Sequence, residues 1–501
     1  MPRASPFTPA FDDLVNSLLT EWHVPGTSIA IIDGPNTFTK GYGHSQYPNT
    51  KATPETLYYT ASTTKSFTAA AVALLIDDSQ SHTKPLTWTT PLSTLLPTDF
   101  ILASPTTTNQ ITLEDALSHR TGLPEHSYHF TPSGASPQTE VRKLRHLPLT
   151  ATPREKYMYN SFMYTAVSVA VEKITGVELG SFLRARIWGP LGMRNTYWSV
   201  GEAEADGGDI ARGYAWVSGS GYSALEYPEY SELSGAGCMI SSVVDYAAWV
   251  RCMMRGGVLS ERAREALTAP RIVCEGPTNL FPGTHLYGLG WRVDGYRGQR
   301  VVWHTGSIAG FGSVVMFLPG VEWGVVIFGN ATVRSNMMQQ VLYMYLLDEM
   351  LGTPGVERVD WGRVIKGKVE GRRAALARAR ERLYPEVPCP VVLPALGIQE
   401  YGGRYWHPGY GGMELVVGAD GEGLIGDRLC QEFSMLIVME HVSGEFWLAR
   451  LQEKNKDPRD HEVVRAEFRL GPDGVREVGV GLEPTMNGEL IWFQRIEKSS
   501  T

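Results

Sequence analysis

Cysteine is scarce in this chain: five residues in 501, Cys238, Cys252, Cys274, Cys389 and Cys430, odd in number and widely scattered. That excludes a disulfide framework and reads as free thiols in a reducing, cytoplasmic compartment. Cys252 lies in a helix-like run and reads as a small buried hydrophobe. No uninterrupted apolar run reaches the roughly 20 residues a membrane-spanning helix needs. The opening stretch Met1 to Phe7 has no continuous apolar region, so no secretory signal is visible. Basic residues do not dominate: 45 Lys and Arg face 53 Asp and Glu, a net charge of -8, with no basic stripe. Nucleic acid is therefore excluded as a partner. There is no Gly-x-Ser-x-Gly elbow, no His-Glu-x-x-His helix and no glycine-rich phosphate loop after a strand. His126 and His129 lie close together, but no carboxylate or cysteine ligands follow at metal spacing. Neither a metal nor a cofactor is expected, and His119 reads as a structural hydrogen-bonding residue.

What is present is a hydroxyl beside an amine at the start of a helix. Leu57 to Phe67 reads Leu-Tyr-Tyr-Thr-Ala-Ser-Thr-Thr-Lys-Ser-Phe and runs directly into the Ala/Leu-rich stretch Thr68 to Ile76. Ser62 and Lys65 are three residues apart and share a helix face. A helix start also offers unpaired backbone N–H groups and a positive dipole end. Desolvation and nearby positive charge favour the neutral amine. A serine, a basic lysine and an anion-stabilising backbone are what acyl transfer needs. A second Ser-x-x-Lys, Ser81 to Lys84, lies in a loop between Asp77 and Pro85 with no helix behind it, and is read as accidental.

Two further motifs follow in order. Tyr159-Asn160-Ser161 precedes a helix from Thr165 to about Lys173, closed by Gly176 as C-cap. Val301 to His304 reads as a strand ending in a turn at Thr305-Gly306-Ser307. The order Ser-x-x-Lys, Tyr-x-Asn, Lys/His-Thr-Gly resembles the class C β-lactamase and serine esterase branch of the penicillin-recognising enzymes. Flanking phrases add to the likeness: Leu117 to Pro124, Pro190-Leu191-Gly192-Met193, Gly235-Ala236-Gly237 and Tyr287-Gly288-Leu289-Gly290-Trp291. The resemblance covers roughly residues 10 to 350. It implies Ser62 as nucleophile, Lys65 and Tyr159 sharing the proton, and the backbone N–H of Ser307 joining that of Ser62 as oxyanion hole. It also implies Ser161, His304, Thr305 and Gly306 as substrate-binding residues. Tyr157 is the alternative register for the phenol. A phenol near a lysine is expected to lose its proton more readily than a free one.

Two departures bear on substrate. Ser161 stands where that branch has Asn, replacing an amide with a shorter hydroxyl that offers one donor. His304 stands where Lys is common, replacing a fixed cation with a group mostly neutral near pH 7. Both point away from penicillins and towards esters. The expected protein is a serine hydrolase or acyltransferase on an ester, thioester or amide, esterase-like rather than a drug-resistance β-lactamase. Its donor would be a small acyl compound, free or carried as a thioester. A transesterase of secondary metabolism and an inactive binding member remain open alternatives at this point.

The chain is long for one domain. Phe11 to Trp22 reads as an amphipathic helix, and Val24 to Asp33 with Thr37 to Gly43 as a hairpin. A mainly helical stretch runs from 62 to about 200. Residues 196 to 234, rich in glycine and aromatics, read either as irregular structure near the pocket or as a surface loop with its own aromatic cluster. Strands return at 289–293, 300–304, 313–318 and 324–328, followed by a helix from 333 to 351. The expected fold is α+β: a transpeptidase-like antiparallel sheet with helices and a helical subdomain over residues 1–355. A basic, Ala-rich linker helix follows (356–389, with the charge run at 363–382). A lipocalin-like β-barrel domain ends the chain (390–501), with strands at 415–417, 433–439, 445–451, 463–470, 478–482 and 490–495.

Overall fold

The computed structural model describes residues 5–496 apart from 82, 130–134, 228–229, 275–279, 420, 429–433, 455 and 487. Cys430, His82 and the expected strand start at Phe433 lie outside the described residues.

The two ends of the catalytic half meet in one antiparallel sheet of nine strands. Its order is Thr50–Lys51, Asn36–Gln46, Gly26–Asp33, Trp323–Gly329, Phe311–Leu318, Gln299–Ile308, Arg292–Tyr296, Leu286–Tyr287 and Ile272–Val273. Gly26–Asp33 pairs with Trp323–Gly329, Ile29 facing Ile327, across nearly 300 residues of chain. The period-2 alternation of strands sorts the side chains onto two faces. Ile29, Ile31, Val314, Met316, Val325 and Ile327 point to one, where helices Pro9–Trp22 and Arg334–Met350 cover them with Phe11, Val15, Leu342 and Leu346. Ala30, Ile32, Val315, Phe317, Val326 and Phe328 point to the other, against Tyr246, Trp249 and Val250 of helix Val243–Arg255. Burying each such side chain stabilises by about 1.5–3 kcal/mol, so a charge at Ile327 would break the sheet.

Helix Lys65–Asp78 is buried on almost every side. Its alanines at 69, 70, 71 and 73 let neighbours approach closely, as the run of small residues predicts. Helix Ser161–Thr175 packs beside it. Asn160 caps its start, accepting from the Met163 N–H at 3.1 Å, and Gly176 closes it at φ +74°. Residues 196–234 resolve both ways. Hairpin Tyr214–Val217 with Gly221–Ala224 carries an aromatic cluster, Trp216 stacking on His23 with ring centres 3.8 Å apart. The turn Ser231–Ala236 reaches the pocket.

The linker is helical over Trp361–Ala377 and Ala379–Leu383. Its charge run is mostly solvated, as expected, yet Arg373 reaches Asp460 at 2.7 Å and Arg372 pairs with Glu462. Beyond it, eight strands close into a barrel, Gly403–His407 pairing with Ile491–Ile496. Of the eight, Gly403–His407 and Gly423–Arg428 are not among the six strands expected from sequence; two glycines and an aspartate interrupt the apolar pattern of the second.

Candidate active site

Ser62 sits on a strained corner. Strand Tyr58–Tyr59, paired with Ile240–Ser241, turns into a 3-10 turn, Ala61–Thr64, and then into helix Lys65–Asp78. Ala61 holds φ +48°, a region that costs a non-glycine residue on the order of 1–2 kcal/mol. The corner is over-determined by its neighbours. The Thr60 carbonyl accepts from the Ser313 hydroxyl at 2.7 Å and the Thr63 hydroxyl at 2.8 Å, and the Thr60 N–H donates to Met239 O at 2.9 Å. Strand Gln299–Ile308 presses against it at Gly306, where a Cβ would stand 2.3 Å from Thr60 O. Ser62 is not a helix cap: no side-chain cap bond is made at this helix start.

Lys65 points back at the serine. Its Nζ lies 3.0 Å from Ser62 Oγ, 3.3 Å from Ser161 Oγ and 2.7 Å from Ala236 O. The Ala236 carbonyl is aimed by a second strained residue, Ser234 at φ +44°, whose hydroxyl accepts from Ser168 at 2.9 Å. Gly290, at φ +78°, lets the chain pass where a Cβ would stand 2.9 Å from Lys65 O. Burial lowers the amine from 10.5 to about 7, against the opposing pull of the Glu125 carboxylate. Desolvation, rather than a neighbouring cation, is thus what frees its lone pair.

The Tyr159 hydroxyl donates to Ser62 Oγ at 2.7 Å, and the Lys65 Nζ lies 5.0 Å from its ring centre. Tyr157 points elsewhere, its hydroxyl buried without a hydrogen-bond partner. The expectation of an acidified phenol is corrected. Burial raises Tyr159 well above its ordinary range, more than the Ser62 bond lowers it, so it remains a proton donor in the resting site.

Ser62, Tyr159, Ser161 and Ser307 line one cleft of about 140 Å³, walled by Glu125, Phe162 and Leu233 among others. Glu125 is reached by solvent through the cleft mouth yet packed round by protein, and burial raises its carboxyl. A larger cavity of about 750 Å³ lies between the first helix and the linker helix, spanned by the Lys366–Glu21 ion pair at 2.8 Å. The serine–lysine chemistry sits in the smaller one.

The strand expected at 300–304 is longer in the fold. Pairing continues through Thr305, Gly306 and Ser307 to Ile308, and the turn comes only at Ala309-Gly310. His304 is corrected as a substrate-binding residue: it is 2% exposed and outside the cleft lining. Its Nε2 meets the Tyr287 hydroxyl at 3.0 Å and its Nδ1 the Thr305 carbonyl at 2.6 Å. Burial first, then the Arg292 and Lys65 charges, lower it to about 3, so it is neutral. Gly306 is buried behind the strand, its carbonyl accepting from Asn336 Nδ2 at 2.9 Å, and Thr305 is half-buried outside the lining. Only Ser307, of this motif, faces the cleft.

A family model described as Beta-lactamase matches residues 11–343. The chain belongs to the Beta-lactamase family. A second model, a domain of unknown function (DUF3471), matches residues 389–495, the barrel. Among relatives of this family member, the unguisins hydrolase of Aspergillus campestris is 38% identical over 98% of this chain and 92% of its own. The unguisins hydrolase of Aspergillus violaceofuscus is 36% identical over 98% and 91%. In fold, the chain is similar to the octameric penicillin-binding protein homologue from Pyrococcus abyssi (TM-score 0.62, 21% identity, 97% of this chain and 99% of that one). It is also similar to D-amino acid amidase from Ochrobactrum anthropi (TM-score 0.55, 22% identity, 64% and 91%). This Beta-lactamase family member is a serine hydrolase with a closed barrel appended.

Residues missed by the sequence reading support the site from outside. His126 and His129 are each engaged by hydrogen bonds. His126 donates its main-chain N–H to Glu483 at 2.6 Å and meets the Tyr410 hydroxyl at 2.6 Å, both on the barrel, while His129 Nε2 lies 3.0 Å from Glu140. No group of three His, Cys, Asp or Glu that could hold a metal occurs among the described residues. Within those residues, no helix is long and apolar enough to cross a membrane. The Tyr287 phrase was visible as a likeness, but its hydrogen bonds to two histidines depend on pairings no local pattern encodes.

Proposed function

We propose that the protein hydrolyses a carbonyl substrate of the unguisin class, or a close chemical relative of one, through an acyl-enzyme on Ser62. The observation that carries this is that Ser62 Oγ is held at once by Lys65 Nζ, 3.0 Å away, and Tyr159 OH, 2.7 Å away, on a cleft. The 38% identity to an unguisins hydrolase over nearly the whole chain supports the substrate class.

In the first step Ser62 Oγ forms a bond to the substrate carbonyl carbon and passes its proton to neutral Lys65. The negative charge on the carbonyl oxygen is met by the backbone N–H groups of Ser62 and Ser307. The carbon–leaving-group bond breaks as the leaving group takes a proton through Tyr159, which Lys65 replenishes. Water then adds to the acyl-enzyme, gives its proton to the same base, and Ser62 leaves reprotonated. Ser161 gives Lys65 a second hydroxyl partner, its Oγ 3.3 Å from Nζ.

The test is direct. Purified protein incubated with an unguisin should give a product heavier by one water, seen by mass spectrometry, and Ser62→Ala should give none. An unchanged unguisin, alongside turnover of other esters or amides, would remove the substrate class and leave the hydrolase.

A further inference from the structure

His119, Tyr287 and His304 form a chain of hydrogen bonds behind the cleft in which each histidine proton has one place. The Asn160 main-chain N–H, which can only donate, points at His119 Nδ1 at 3.0 Å. His119 must therefore accept there and, as a neutral ring, carry its proton on Nε2. That Nε2 lies 3.2 Å from the Tyr287 oxygen. The Tyr287 hydroxyl proton is left for His304 Nε2, 3.0 Å away. His304 then carries its own proton on Nδ1, 2.6 Å from the Thr305 carbonyl, which can only accept. Tyr164 lies beside Tyr287 and donates its own proton to Leu117 O at 2.5 Å, its oxygen standing as a second acceptor for the Tyr287 hydroxyl without altering either histidine's tautomer. The chain runs from an obligate donor to an obligate acceptor with one proton per link.

Its two ends matter. Asn160 follows Tyr159, the phenol on Ser62, and Thr305 lies two residues before Ser307, which faces the cleft. Both segments reach the cleft, one through Tyr159 and the other through Ser307. All three rings of the chain are buried, with His119 and Tyr287 fully enclosed. Gly288 and Gly290, just after Tyr287, pass so close to Leu267 O and Lys65 O that neither has room for a side chain.

We infer that Tyr287 is a positioning residue that joins His119 and His304 into a neutral strut fixing the distance between Tyr159 and Ser307. This rests on the reading of Tyr159 and Ser307 as parts of one acylation site. The histidine at position 304 then serves the active site from behind and makes no contact with substrate.

Two measurements test it. Nitrogen NMR on the full chain labelled in histidine, near neutral pH, should show His119 protonated on Nε2 and His304 on Nδ1, two different neutral tautomers, assigned by His119→Gln and His304→Gln. Finding His304 protonated on Nε2, or as imidazolium, overturns the strut and needs no variant of Tyr287. Tyr287→Phe keeps the ring and removes the link. It should lower kcat by about 10- to 100-fold, the penalty of a slightly misplaced group, with KM changed less than about threefold. Labelling of Ser62 by a fluorophosphonate should slow by a similar factor. Wild-type kcat and labelling rate in Tyr287→Phe would overturn the proposal. Labelling and tautomers are read without the natural substrate. Failure of unguisin turnover with slowed labelling in Tyr287→Phe would therefore sink the substrate assignment and keep the strut.

Discussion

Arg428 Nη2, on the barrel, donates to the main-chain carbonyl of Tyr128, on the cleft wall, at 3.0 Å across 300 residues of chain. The same nitrogen reaches Tyr410 O at 2.8 Å, and Glu483 accepts the His126 N–H beside it. The segment so clasped carries Glu125, Ser127 and His129, all of which line the cleft. The barrel thus supports one wall of the site. Arg428→Ala leaves two buried carbonyls short of a charged donor. It should destabilise by about 2–4 kcal/mol and raise KM more than it lowers kcat. Thermal denaturation and steady-state kinetics check this; an unchanged KM would mean the wall holds itself.

Ser62 should be the residue labelled by a fluorophosphonate, and Ser81 should not. Ser81 ends an exposed 3-10 turn after the helix has stopped at Asp78. Ser62→Ala should abolish turnover and change stability by less than about 1 kcal/mol, since the hydroxyl caps nothing. Peptide mapping of the adduct decides it.

Activity should rise with pH through about 7 as Lys65 loses its proton. Stability should move with it. The folded value is depressed from 10.5 to about 7, so between those limits the unfolded chain binds a proton that the folded chain does not. The contribution of Lys65 to stability therefore falls as pH drops from about 10.5 to 7 and is flat below. Lys65→Met should abolish activity and raise stability at pH 7 by about 1–3 kcal/mol, the usual exchange at a functional site. A pH–rate profile without a limb near 7 would count against Lys65 as the base.

Selectivity should favour activated esters over nitrocefin and D-Ala-D-Ala peptides by at least about 100-fold in kcat/KM. His304 is buried and neutral, so it offers no charge to a substrate carboxylate. Ser161 has one hydroxyl, already 3.3 Å from Lys65. Each missing contact to a charged or polar group is worth about 1–3 kcal/mol. One panel at matched concentrations checks it, and nitrocefin turnover equal to that of p-nitrophenyl esters would reverse the reading.

The parts of this molecule that were legible in the sequence are those set by local pattern. Helix Pro9–Trp22, the central strands and the Ser62–Lys65 pair follow from periodicity and spacing within a few residues. The unreadable parts are set by partners far along the chain. His304 suggested a contact with substrate until the fold turned it towards Tyr287. His126 carried no role in the sequence, and its bonds to Glu483 and Tyr410 on the barrel come from pairing across some 300 residues. Tyr159 suggested an acidified phenol, because its neighbour lysine is visible in the motif and the depth of its burial is not.

The strand ends of the two sheets have a further consequence, for how the chain survives at high concentration. The barrel closes on itself through Tyr405 facing Arg495, and the catalytic sheet ends on Thr50–Lys51 and Ile272–Val273, each two residues long. A strand needs a longer row of open N–H and C=O groups to recruit a neighbour. The barrel therefore offers no open edge among the described residues, whereas Asn36–Gln46, paired with Thr50–Lys51 only at His44 and Gln46, keeps a strand neighbour on one side alone over most of its length.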